Sequence, residues 1–214
     1  MTRLAAALLI ASLGSAGAAG AAGPGIPVVP SLPKPWVGSV VRYVALNAEQ
    51  QRTGLEGADV FYGLEGGIQV GRFELSAEAT TGDAVQRLHV DGAEDPEIRI
   101  YTAAAQLHAA LVPALPIYGF AGGGVWRFDY RDQSTTLDFP GSPPIVVEFE
   151  DFFAPALSAG VGASLQPKPW LGIGADAGVM GLRLNEARID GSEVAVESHW
   201  RASPTAAMRV RFMW

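Results

Sequence analysis

The sequence predicts an all-β protein, an eight-stranded antiparallel up-and-down transmembrane β-barrel with short periplasmic turns and longer extracellular loops. Three observations lead to this fold class. Residue types alternate with a period of two, connections alternate between tight and long, and acidic charge collects in the long connections. The chain has 214 residues, of which 49% are hydrophobic, and this size suits one sizeable domain. The 26 glycines and 15 prolines argue against a helical bundle.

Composition also excludes several classes of function. The chain has no cysteine, so it has no disulfide framework, thiolate metal site or cysteine nucleophile. The formal net charge of −7 argues against general nucleic-acid binding. His89, His108 and His199 share no ligand spacing, so we expect no metal site, and no motif calls for a cofactor.

The N-terminus has the pattern of an export signal. Met1–Arg3 is a short positive segment, and a stretch of apolar residues and then small residues follow it. We predict a signal peptide over residues 1–21, cleaved after Ala18 or Ala21, and a Pro/Gly-rich leader over residues 22–35. The barrel is expected over residues 36–214, in the cell outer membrane.

The strands are predicted from alternating segments separated by turn residues. The eight segments are Val37–Asn47, Ala58–Val70, Phe73–Thr81, Ile98–Leu111, Ile117–Tyr130, Phe153–Gln166, Trp170–Leu184 and Trp200–Trp214. A tilted strand needs about 9–11 residues to cross a bilayer, and each segment has at least nine.

The connections differ systematically in length. The tight ones cover residues 71–72, 112–116 and 167–169. The long ones cover residues 48–57, 82–97, 131–152 and 185–199, and they hold 16 of the 22 acidic residues. Both termini fall on the side of the tight turns, which is the periplasmic side of an outer-membrane barrel.

The parity of residues along each segment predicts which face meets lipid. In the eighth segment the apolar positions Trp200, Met208, Val210, Phe212 and Trp214 alternate with Arg201, Ser203, Thr205, Arg209 and Arg211. In the fifth segment the aromatic positions Tyr118, Phe120, Trp126, Phe128 and Tyr130 alternate with Arg127 and Asp129. The rule that apolar residues face lipid predicts that both apolar faces point outward.

Together these features resemble the small outer-membrane barrels of the OmpA, OmpX and OmpW type, over residues 36–214. The terminal strand, with Val210, Phe212 and Trp214 at alternate positions, looks like the C-terminal assembly signal of such proteins. The resemblance implies contacts with outer-membrane lipid, lipopolysaccharide and the barrel-assembly machinery.

Charged residues of the inward parity predict a filled lumen. Arg42, Glu65, Glu78 and Asp176 are expected in a middle layer, and Arg209, Arg211, Gln69 and Glu74 nearer the periplasm. Because buried charges are costly unless paired, we expect a plug of ion pairs. Inward glycines of the sixth and seventh segments leave room on one wall, which we expect arginines to fill rather than water or a ligand.

Two long loops are predicted to continue as hairpins, around Asp190-Gly191 and around Pro140–Pro144. The loops over residues 131–152 and 185–199 could bind a surface partner, although a solvated rim is an equal expectation. Their carboxylates could loosely recruit divalent cations that bridge lipopolysaccharide.

We therefore expect a monomeric, non-catalytic barrel with a structural or surface-interaction role in envelope integrity. The first alternative is a narrow pore or small-ligand conduit. The less favoured one is a lipid A-modifying membrane enzyme built on His199. Ser203 shares its face but lies four residues further along the strand, too far for a direct hydrogen bond.

Overall fold

The computed structural model describes residues 33–46, 55–56, 59–86, 95–112, 115–131, 134–137, 141, 143–190 and 193–214. The predicted signal peptide and nearly all of the leader lie outside the described residues. Within the described part of the chain, no helix has the length and apolar character needed to cross a bilayer.

The described residues form eleven strands. They are β1 (Lys34–Val44), β2 (Leu55–Glu56), β3 (Val60–Val70), β4 (Phe73–Gln86), β5 (Glu97–Ala110), β6 (Ile117–Tyr130), β7 (Ser134–Leu137), β8 (Ile145–Glu148), β9 (Phe152–Lys168), β10 (Leu171–Asp190) and β11 (Glu193–Met213). Eight of these strands pair antiparallel in the order β1-β3-β4-β5-β6-β9-β10-β11, and β11 pairs with β1 to close the ring. The predicted eight-stranded antiparallel barrel is confirmed. Its first strand begins at Lys34, three residues before the predicted start at Val37.

The turns and hairpins agree with the predicted pattern. The β3–β4 turn places Gly71 at φ +59°, a conformation that glycine adopts without strain. Strands β10 and β11 pair as far as Asp190 and Glu193, so the hairpin connection is residues 191–192 and Asp190 ends the strand. Strands β7 and β8 form a separate two-stranded hairpin. Both hairpins are confirmed.

The outward surface is an apolar band with aromatic residues at both edges. Toward the long loops lie Tyr43, Tyr62, Tyr101, Phe153 and Trp200, all exposed. Toward the tight turns lie Phe73, Trp170, Phe212 and Trp214, also exposed. Exposed Leu64, Leu75, Leu157 and Val161 lie between the two groups. An apolar band between two aromatic girdles is the surface of a membrane-spanning barrel.

The facing of β6 corrects one prediction. Tyr118, Phe120, Trp126 and Phe128 point into the barrel and are buried, whereas Arg127 points outward. The prediction was wrong because the interior of this barrel is itself apolar toward the long loops. Arg127 lies near the end of its strand, where an outward guanidinium can reach the headgroup region.

A cluster of buried apolar side chains fills the half of the barrel nearer the long loops. It comprises Val44, Leu46, Phe61, Ala84, Ile98, Ile100, Trp126, Phe128, Ala154, Ala156, Met180, Leu182 and Leu184. The ring centroids of Phe61 and Trp126 lie 4.8 Å apart, and Phe128 stacks on Phe152 at 4.4 Å. We call this set the apolar layer.

The inward glycines of β9 make room for aromatic rings. A Cβ atom added at Gly160 would lie 2.7 Å from the Phe120 ring, and one at Gly162 would lie 2.5 Å from the Tyr118 ring. The expectation that arginines fill this wall was therefore wrong for both positions. Aromatic side chains of β6 occupy the space because β6 is the strand that pairs with β9.

Candidate functional site: the charged layer of the barrel interior

Seven charged side chains project from five consecutive barrel strands toward a common point. They are Glu74 and Glu78 on β4, Glu65 on β3, Arg42 on β1, Arg209 and Arg211 on β11, and Asp176 on β10. Six are buried, and the side chain of Glu74 is 16% exposed. The alternation of each strand turns these residues inward, and the pairing order brings their strands side by side. We call this set the charged layer.

Arg209 lies at the centre of the charged layer. Its Nε donates to Oε2 of Glu65 at 2.8 Å, and its Nη1 pairs with the carboxylate of Asp176. Its Nη2 donates to Oε1 of Gln106 at 3.1 Å and lies 3.5 Å from Oε2 of Glu78. One guanidinium therefore connects β11 to four other strands, because its planar fork offers donors in several directions.

Arg42 and Glu78 form a two-pronged pair. Nε of Arg42 donates to Oε1 of Glu78 at 3.0 Å, and Nη2 donates to Oε2 at 2.7 Å. Parallel hydrogen bonds between a guanidinium and a carboxylate are among the strongest that proteins make. This pair links β1 to β4 across β3.

Arg211 completes the set on the side of the tight turns. Its Nε donates to Oε1 of Glu65 at 3.1 Å, and its Nη1 donates to Oε2 of Glu74 at 3.0 Å. Its guanidinium also stacks 4.1 Å from the Trp36 ring centroid. Glu65 accordingly bridges Arg209 and Arg211, so all seven predicted residues belong to one connected network.

The depth predicted for Arg209 needs correction. We expected it nearer the periplasm, with Arg211, Glu74 and Gln69. Its guanidinium instead reaches Glu65 and Asp176 in the middle layer, since an arginine side chain is long compared with the spacing of residues along a strand. Gln69 lies exposed at the rim.

Sequence reasoning missed the uncharged partners of the network. Gln106 is buried and accepts from Arg209, and the hydroxyl of Tyr118 lies 3.5 Å from both Arg209 and Asp176. The parity of β5 already places Gln106 on the inward face, but parity alone does not predict its contact with Arg209. Tyr118 was missed because its strand was assigned the opposite facing. His108 is buried and contacts Ser76 through Nε2 at 3.1 Å.

Two cavities border the charged layer. One of about 10 Å³ touches Arg42, Glu78 and Trp126, and it separates the charged layer from the apolar layer. It has room for about one water molecule. The other, of about 110 Å³, lies at the tight-turn mouth beside His108 and Arg211.

The remaining candidate residues lie apart from this layer. His199 is exposed, whereas Ser203 is buried and pairs in register with Met180. Among the described residues, no three histidine, aspartate or glutamate side chains are grouped to hold a metal ion. Val210, Phe212 and Trp214 face outward, and Phe212 stacks on Trp170 at 6.2 Å.

One loop carboxylate has a defined environment. Asp151 accepts from Nη2 of Arg127 at 3.0 Å and from the backbone N–H of Tyr130 at 3.1 Å. These hydrogen bonds, the Arg127 bond first, lower the pKa of the Asp151 carboxyl below its ordinary value. The contact ties the start of β9 to the end of β6.

A closed ring of eight antiparallel strands, an apolar band between aromatic girdles and an inward polar layer are features of small outer-membrane β-barrels. The chain is similar to proteins of this class. Three solved structures illustrate the similarity. The N-terminal β-barrel domain of OprF from Pseudomonas aeruginosa has 11% identity and a TM-score of 0.38, covering 85% of this chain and 97% of that one.

Neisserial surface protein A has 11% identity and a TM-score of 0.40, covering 84% and 96% of the two chains. The outer membrane protease OmpT from Escherichia coli has 10% identity and a TM-score of 0.33, covering 85% and 94%. No family model and no curated protein matches the sequence. At these identities, no activity passes from the similar structures to this chain.

Proposed function

We propose that this protein is a non-catalytic outer-membrane barrel with a structural or surface-interaction role in envelope integrity, and that its lumen is plugged. The observation that carries the proposal is the position of Arg209, which bridges β11 to β3, β5 and β10 through the centre of the barrel. An eight-stranded barrel encloses a space that side chains can fill, and the paired charges of the charged layer support such a plug.

The apolar layer supports the same proposal. It lies between the charged layer and the long loops, so an ion would have to pass both. The ring centroids of Phe61 and Trp126 lie 4.8 Å apart within this layer, so we expect the two rings to obstruct the lumen even in a variant that lacks a charge of the charged layer. The alternative of a narrow pore would require both layers to rearrange.

Localisation and partners follow from the proposed membrane position. The apolar band would contact outer-membrane lipid and lipopolysaccharide, and Val210, Phe212 and Trp214 would present the C-terminal assembly signal to the barrel-assembly machinery. The β7–β8 hairpin and the end of the β10–β11 hairpin would offer surfaces to a partner, while the barrel itself remains monomeric.

The first test is cellular. Deletion of the protein should sensitise cells to detergent and bulky antibiotics, and the wild-type chain should restore resistance. If the protein is not an enzyme, the mass of lipid A should be the same with and without its expression. The variant His199→Ala should leave that mass unchanged as well. Unchanged sensitivity in the deletion strain would contradict the envelope role.

The second test addresses the plug by conductance in planar bilayers. Wild type and Arg209→Met should both be silent, because the apolar layer remains. The triple variant Arg209→Met/Phe61→Ala/Trp126→Ala should conduct. The matched control Leu64→Ala/Leu157→Ala removes exposed apolar side chains from the lipid face and should stay silent. Conductance of the wild-type barrel at the level of an open pore would overturn the plug.

A further inference from the structure

The rim formed by the tight turns carries an unbalanced positive charge. Lys34, Arg72 and Lys168 are exposed there, on β1, in the β3–β4 turn and at the end of β9. Among the described residues of this rim, Glu74 is the acidic side chain, and it turns inward to pair with Arg211. The three outward cations therefore have no carboxylate partner among the described side chains.

Two of these cations are held at the level of the aromatic girdle. The guanidinium of Arg72 lies 5.0 Å from the Phe73 ring centroid, and Nζ of Lys168 lies 5.4 Å from the Trp170 ring centroid. Aromatic girdles of membrane barrels lie at the headgroup level of the bilayer. The positive charges are consequently placed where lipid phosphates lie.

The opposite rim has a different charge balance. Arg99, Arg127 and Arg131 are exposed there, but each pairs with a carboxylate at 2.6–3.0 Å. The pairs use Asp83, Asp151 and Glu97. Acidic side chains therefore pair with these three arginines, and Arg183, in register with Trp200, is a further exposed cation near this rim. The cations of the tight-turn rim have no such carboxylates and are available to an anion from outside the protein.

We infer that the tight-turn rim binds the headgroups of anionic phospholipids, of which phosphatidylglycerol is the probe. The three unpaired cations would attract the phosphate of a lipid headgroup. The exposed apolar side chains of Leu111, Val112 and Leu115, in the β5–β6 turn, would contact the acyl chains. Each basic side chain near an anionic bilayer surface strengthens association about fivefold. The inference rests on the proposed membrane position, and it goes further by naming a lipid class and a rim.

Tryptophan quenching by brominated lipid can measure the lipid next to each rim. A reporter with Trp200→Phe and Trp214→Phe keeps Trp170 beside Lys168. A second reporter with Trp170→Phe and Trp214→Phe keeps Trp200 at the other rim. Buried Trp36 and Trp126 give both reporters the same background. Each is inserted into symmetric phosphatidylcholine vesicles that contain brominated phosphatidylglycerol or brominated phosphatidylcholine.

We expect phosphatidylglycerol to associate about fivefold more strongly than phosphatidylcholine at the Trp170 rim. The preference at the Trp200 rim should be smaller, because Arg99, Arg127 and Arg131 are paired there and Arg183 is a single further cation. The preference at the Trp170 rim should disappear in Lys34→Gln/Arg72→Gln/Lys168→Gln and should weaken in high salt. The matched control Arg99→Gln/Arg127→Gln/Arg131→Gln removes three cations from the other rim and should keep the preference.

The outcomes separate this inference from the proposed function. Equal quenching by both lipids at Trp170, or a preference that survives the triple substitution at the tight-turn rim, overturns the lipid inference. A heat-dependent mobility shift shows that each variant has inserted as a barrel. Failure of the wild type to insert into either vesicle contradicts the membrane position itself.

Discussion

The guanidinium of Arg209 lies 2.8 Å from the carboxylate of Glu65, 144 residues earlier in the chain, and neither side chain is more than 1% exposed. Strand β1 separates the strands that carry them. The pair therefore crosses the seam where the first and last strands close the barrel. Its loss should destabilise the closed ring as a whole.

Arg209→Met is expected to destabilise the barrel by about 3–5 kcal/mol, because Glu65 and Asp176 would be left buried without their main partner. The free energy of unfolding in urea, followed by the heat-dependent mobility shift, measures this loss. The double variant Arg209→Met/Glu65→Gln should lose less than the sum of the single variants. A loss below about 1 kcal/mol for Arg209→Met would argue against a tightly paired layer.

Gly162→Ala should destabilise the barrel by about 1–3 kcal/mol, since the new methyl group would lie 2.5 Å from the Tyr118 ring and 2.8 Å from the carbonyl oxygen of Ala175. In the double variant Gly162→Ala/Tyr118→Ala, the loss in the free energy of unfolding should be smaller than the sum of the two single losses, because the ring is the nearest obstacle to the new methyl group. The control Gly66→Ala, whose Cβ would meet nothing closer than 3.5 Å, should change stability by less than about 0.5 kcal/mol. Equal effects of both alanines would contradict the close packing at Gly162.

The contact between Asp151 and Arg127 should weaken in acid. The pKa of Asp151 is lowered in the folded protein, so the stabilisation is present above the ordinary carboxyl pKa and is lost as the pH falls through the lowered value. NMR titration of the Asp151 carboxyl should show that lowered pKa, and limited proteolysis near residue 151 should increase below it. Asp151→Asn should remove the acid dependence of cleavage, while the neighbouring control Glu150→Gln should retain it. A titration at the ordinary value would contradict the contact.

Removal of Trp214 should reduce assembly into the outer membrane if the last strand carries the assembly signal. The expected result is a smaller heat-modifiable fraction in isolated outer membranes. Trp200→Ala, which removes an exposed tryptophan from the other girdle, serves as the control and should assemble normally. Refolding of the truncated chain into detergent micelles separates an assembly defect from a folding defect. Full assembly without Trp214 would show that the signal does not require it.

The two-residue alternation of apolar and polar positions and the locations of turn residues predicted most of the fold. The fifth segment, Ile117–Tyr130, coincides with β6 at both ends, because Pro116 and Arg131 lie outside an unbroken alternating run. The seventh and eighth segments were predicted too short at the loop end. Strands β10 and β11 extend to Asp190 and Glu193 through residues that pair with each other beyond the barrel wall.

The facing of β6 could not be read from its own residues. Alternation establishes that Trp126 and Arg127 lie on opposite faces, but it does not say which face meets lipid. The expectation that apolar side chains face the lipid holds for β11, because its inward residues Arg209 and Arg211 pair with carboxylates. It fails for β6, whose aromatic rings pack against glycines of β9 and against the apolar layer. That contact depends on strand pairing, which a single segment does not contain.

The sequence predicted which residues belong to the charged layer, but it did not predict which of them pair with each other. Inward parity selected all seven members, since a charge on the lipid face would be costly. Parity does not give the reach of an arginine, and Arg209 contacts residues of another predicted depth for this reason. The pairing of Arg42 with Glu78, two strands away, likewise depends on how far a side chain crosses the lumen.

Strand β11 carries two of the three cations of the charged layer, Arg209 and Arg211. Without β11, Glu65, Glu74, Glu78 and Asp176 would face Arg42 alone, and the excess of like charges would repel one another. The same strand pairs with β1 and closes the ring. A chain cut short before β11 would therefore lack both the closing strand and the cations that make a closed interior tolerable.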